Sequence, residues 1–86
     1  MKNQLTLSAF ADFAEKQGDR EYDYWNTREC ACAQFSDYIG LERDSTGLPK
    51  IWDTSFTETA NLLAARVRDF DALAKLIRMH IARHGE

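Results

Sequence analysis

Between Phe56 and Ile81 the apolar residues keep a fixed rhythm. Phe56, Ala60, Leu63, Val67, Phe70, Ala74, Ile77 and Ile81 are separated by steps of 4, 3, 4, 3, 4, 3 and 4, and no proline or glycine interrupts them. A repeat averaging 3.5 residues puts every member on one face of an α-helix. Ser55 to Glu58 has the spacing of a capping box, so the pattern predicts one helix over about 55–83. A second reading breaks it near 68–70, with Asp69 capping a fourth helix after Arg68. Leu62, Leu73 and Leu76 widen the apolar stripe, as in a helix packed inside a bundle.

Upstream, the signals are shorter. Thr6 can cap a helix (Ser8 is the rival), with Leu5 and Phe10 placed as a hydrophobic staple. Leu7, Phe10, Phe13 and Ala14 follow helical spacing and Gly18 ends the run, giving a helix over about 7–17. Asn26 or Thr27 starts the next. With Asn26 as cap, Glu29 completes a capping box, Ala31, Phe35, Tyr38 and Ile39 share a face, and Gly40 stops the helix, over about 27–39. Asp44, Ser45, Thr46, Gly47 and Pro49 mark a loop, which Ile51 and Trp52 are expected to pin to the core. The predicted fold is all-α: two short helices and a loop packed on a long C-terminal helix.

Eighty-six residues are one domain's worth, read as a single helical domain over 1–86. Only 18 of the 86 are Leu, Ile, Val or Phe, so the core must be thin. No apolar run exceeds four residues, which predicts neither a membrane span nor a signal-peptide core. The net charge of −3 speaks against direct nucleic-acid binding, although it is unevenly spread. Residues 1–58 carry 6 basic and 11 acidic side chains, whereas residues 59–86 carry 5 and 3. Arg66, Arg68, Lys75 and Arg78 read as a solvated face, and Arg78 and Arg83 suit a helix C-terminus. A long continuous helix also argues against a helix-turn-helix. The two cysteines, Cys30 and Cys32, point to opposite sides of a helix and cannot bridge each other, which fits a reduced, cytoplasmic protein.

Constellations of reactive residues are sparse. His80 and His84 share a helical face at a spacing zinc can use, with Glu86 nearby and Cys30 and Cys32 able to come from another helix, but no acidic residue lies between the histidines, the Cys gap is too short for a zinc knuckle, and the pair reads as solvated. Cys30, in the first turn of the second helix, would have a lowered pKa, yet no oxyanion hole or orienting residue accompanies it. The expectation is no enzyme, no metal and no cofactor. The connector over 18–26 stands out instead. Tyr22, Tyr24 and Trp25 alternate with Glu21 and Asp23 and follow Asp19. Aromatic rings anchor interfaces, and carboxylates around them suit a basic partner. Asp19, Glu21, Tyr22, Asp23 and Tyr24 are therefore the candidate binding residues. The competing reading folds Tyr24 and Trp25, Trp25 above all, inward over the thin core.

Tyr22-Asp23-Tyr24, five residues, then Cys30-Ala31-Cys32-Ala33-Gln34-Phe35 resembles a motif of small uncharacterised phage and prophage proteins. The resemblance covers about 14 residues and carries over no functional residue. It implies a setting in the cytoplasm of a bacterial host, where small acidic helical phage proteins often bind a host protein or complex. Anti-CRISPR inhibitors are similar in size and charge. The motif also has a structural reading, with Gln34 hydrogen-bonding the connector and Cys and Ala allowing close helix approach. Two functions follow as expectations: a protein-binding inhibitor of a host defence complex, or an assembly subunit forming a homodimer through its long helix.

Overall fold

The computed structural model describes residues 6–25, 30–40 and 56–85. Among these are four α-helices: α1 (Leu7–Lys16), α2 (Ala31–Tyr38), α3 (Phe56–Ala64) and α4 (Phe70–His84). The only β pairing among them is an isolated antiparallel bridge between Glu21 and Asp69. The Leu5 staple, the Asn26–Glu29 capping box, the loop with Ile51 and Trp52, and the Ser55 cap lie outside the described residues.

Helix α1 begins where the sequence reading puts it. Thr6 Oγ1 accepts the Ala9 N–H at 3.1 Å, so Thr6 rather than Ser8 is the cap. Gly18, at φ +67°, turns the chain out of the helix in a conformation that penalises a Cβ. Helix α2 starts later than expected, with Cys30 as its N-cap instead of within its first turn. Four consecutive small side chains there, Cys30 to Ala33, are all buried. They let the backbone of α2 approach its neighbours closely.

The expected long helix is divided, at the position of the second reading. Asp69 adopts an extended conformation and its carboxylate takes the Ala72 N–H at 2.7 Å, founding α4. The connector holds the bend from outside. Tyr22 N–H donates to the Arg68 carbonyl at 3.1 Å, and Phe70 N–H donates to the Arg20 carbonyl at 2.9 Å. A helix has no partners for its last carbonyls, so an external donor there favours stopping. Tyr22 supplies one, its single hydroxyl proton donated to the Ala64 carbonyl at 2.6 Å, with the Val67 carbonyl oxygen also within reach at 3.1 Å.

Despite the bend, the repeat keeps its inward face. Ala60, Leu63, Phe70, Ala74 and Ile77 are buried, and Phe56, Val67 and Ile81 pack against the core from its edge. Leu62 does not join the stripe; it is 70% exposed. The thin core is an aromatic one. Phe10 packs at a tilt against Phe35 and edge-on against Phe56 (5.0 and 5.7 Å between centroids), and Phe13 at a tilt against Phe35 and edge-on against Phe70 (5.6 and 5.5 Å). Such pairs contribute about 0.5–1.5 kcal/mol each beyond their buried area. The α1–α4 packing is clasped at its rim, where Arg78 reaches across to Asp12 and to Glu15, the latter at 3.1 Å. Arg78 thus has partners on another helix besides the dipole of its own.

Candidate functional site

Residues 20–23, between α1 and α2, form a strap bridged across the α3–α4 bend. An extended strap shows successive side chains to opposite sides, and the Glu21–Asp69 bridge fixes which side is which. Tyr22 points in. It is 8% exposed, its ring lies 5.0 Å from that of Phe70, and burial pushes its phenol well above the ordinary tyrosine range. Glu21 and Asp23, on either side of it, are exposed, as is Asp19.

Trp25 reverses the expectation most clearly: it is 88% exposed. Asp23 Oδ1 accepts the Trp25 N–H at 3.1 Å, a local turn that fixes the backbone carrying the indole. Tyr24, half-buried against the core, meets the indole edge-on with centroids 5.2 Å apart. Between Glu21–Trp25 and the bend residues Ala65, Val67 and Arg68 lies an open hollow of about 550 Å³. Of the five candidate residues, Asp19, Glu21 and Asp23 are available to a partner, Tyr24 is partly so, and Tyr22 is committed to the fold. Trp25, absent from the candidate set, is the connector's most accessible aromatic group.

The motif residues from Cys30 to Phe35 are packed into the fold. Arg20, over the face of Phe70 at 5.0 Å, donates to Gln34 Oε1 at 2.6 Å and Gln17 Oε1 at 2.8 Å, so Gln34 does tie α2 to the connector. Cys32 donates from Sγ to Asn61 Oδ1 at 3.3 Å. Phe35 occupies the aromatic core. Cys30 and Cys32 are both buried free thiols, and burial raises the pKa of each. That overturns the lowered pKa expected of Cys30 at a helix start, because desolvation outweighs the favourable backbone N–H groups around it.

At the far end of α4, His80 and His84 stack on each other with centroids 4.8 Å apart. Among the described residues no three His, Cys, Asp or Glu side chains cluster as metal ligands would. None of the described helices is long and apolar enough to cross a membrane. The divided helix removes the continuous-helix argument against a helix-turn-helix. On α4 itself, Arg78 is taken up by α1, and Lys75 pairs with Asp71 at 3.3 Å. Compared with known proteins, the chain matches no family model, no curated protein and no solved structure.

Proposed function

We propose that the protein is a non-enzymatic protein-binding module whose contact surface is the outer side of the connector: Trp25 with Asp19, Glu21 and Asp23. The observation that carries this reading is the exposure of Trp25 on a backbone fixed by Asp23. A large exposed aromatic ring is costly to leave in water and is a common interface anchor. The flanking carboxylates favour a basic partner, and their field would speed its association. The phage-like motif adds the setting: a host protein or complex in the bacterial cytoplasm, with a defence complex's nucleic-acid-binding surface as the kind of basic face this connector would cover. On this reading the chain performs no catalysis, needs no cofactor and does not itself contact nucleic acid.

The test is a comparative pull-down from bacterial lysate with the wild-type chain and the Trp25→Ala variant. A stoichiometric host protein retained by the first and lost by the second supports the reading. Equal retention by both places the contact elsewhere on the molecule.

A further inference from the structure

The bend between α3 and α4 is held by partners from outside it, while its own sequence is compatible with helix. Ala65, Arg66, Val67, Arg68 and Asp69 include no glycine or proline, and Ala and Arg are strong helix formers. The 4-3 repeat passes through the bend without losing phase: Leu63, Val67 and Phe70 stay in register. A true loop has no reason to keep a helical repeat.

We propose that residues 65–69 are a hinge which, when straightened, lets α4 leave its own α1 and dock on the α1 of a second copy, giving a domain-swapped dimer. The occupant is set by the structure itself. The face of α4 carrying Phe70, Leu73, Ala74 and Ile77 is buried mainly against α1, and a second copy offers that same α1 surface, including Asp12 and Glu15 for Arg78. Exchange of an identical element keeps the core contacts and changes only the hinge. In the straightened helix the carbonyls of Ala64 and Val67 would be satisfied by N–H groups four residues on. The losses are the two bridge hydrogen bonds, the Asp69 cap and the Tyr22 hydroxyl bond. Tyr22 is therefore the latch of the monomer.

The test uses Tyr22→Phe, which keeps the ring and removes only the hydroxyl. Sedimentation should show the monomer–dimer equilibrium shifted about tenfold or more toward dimer. Spin labels on cysteines introduced by Glu58→Cys and Ala82→Cys, both exposed positions, read on doubly labelled chains diluted into unlabelled ones so that only the intrachain pair is seen, should lie about 36 Å apart in the dimer, the length of 24 residues of unbroken helix. Adding Arg68→Gly, which disfavours helix at the hinge, should return the chain to monomer. A folded Tyr22→Phe chain that stays monomeric at high concentration overturns the proposal. So does a dimer whose intrachain label distance equals that of the monomer. If Tyr22→Phe does not fold, the wild-type chain decides: warmed to its midpoint and cooled at high concentration, it must yield the long-distance dimer, and its failure to do so overturns the proposal.

Discussion

The hydroxyl of Tyr22 lies 2.6 Å from the carbonyl oxygen of Ala64, a residue 42 positions away. One side chain from the connector thereby ends a helix in the second half of the molecule. Because both groups are shielded from water, removing the donor strands the acceptor. Tyr22→Phe is expected to cost about 1–3 kcal/mol of monomer stability. Urea denaturation at low protein concentration, with an unchanged slope, measures it. A loss under 0.3 kcal/mol would mean that water caps Ala64 as well as Tyr22 does.

Phe70 is the hub of the core. It meets Phe13 edge-on, Tyr22 at a tilt and the Arg20 guanidinium on its face. Phe70→Ala should cost about 3–5 kcal/mol, comparable with the whole stability of so small a domain. Thermal unfolding followed by circular dichroism should find the variant largely unfolded at 37 °C. A melting temperature close to wild type would show that the cavity collapses at little cost.

Ser36 is fully buried on α2, and its hydroxyl has no hydrogen-bond partner among the described residues. Replacing an unsatisfied polar group by a methyl group removes a desolvation penalty. Ser36→Ala is expected to stabilise the protein by about 1 kcal/mol. Destabilisation in a chemical melt would reveal a partner for the hydroxyl.

The buried thiols make two linked predictions. Cys30 and Cys32 should react with a disulfide reagent at neutral pH far more slowly than free cysteine, and a fast phase would contradict their burial. Their folded pKa values lie above the unfolded value of about 8.5, so the fold holds their protons more tightly than the open chain does. Their contribution to stability is complete below that value and declines as pH rises above it. Tyr22 adds the same trend from about pH 10, since its pKa is raised too. Stability measured from pH 7 to 11 should fall, and a flat profile would refute the assignment.

On the connector surface, Glu21→Lys with Asp23→Lys should leave the helical spectrum intact, since both side chains are exposed. Association with a basic partner should slow, and the wild-type rate should fall as salt is added while the variant's falls less. Identical salt slopes would remove the electrostatic part of the proposed function.

The elements that could be read in the sequence are those stated by local chemistry. Thr6 and Gly18 bound α1 because a cap and a left-handed residue act within a turn of where they sit. The inward face from Ala60 to Ile77 was readable because helical periodicity is local as well. The division of that helix was only half readable. Asp69 advertises a cap, but the repeat runs through it, and the deciding groups, Tyr22 and the Arg20 carbonyl, come from more than forty residues away. The same long-range packing exchanged the expected roles of the connector aromatics. Nothing local distinguishes Tyr22 from Trp25, whereas pairing Glu21 with Asp69 turns the first inward and leaves the second in water.

The clasp between Arg78 and Asp12 joins positions 66 residues apart, and the helices that bear them form the main packing of the fold. Closing so long a stretch of chain has an entropic cost that grows only slowly with length, but all of it falls due before the contacts form. During synthesis α1 would emerge before α4 and could rest only on the side chains of α2 and α3, such as Phe35 and Phe56, until α4 follows. The part of its buried face that α4 covers, where Phe13 meets Phe70, would stay open to solvent, chaperones and neighbouring nascent chains until then.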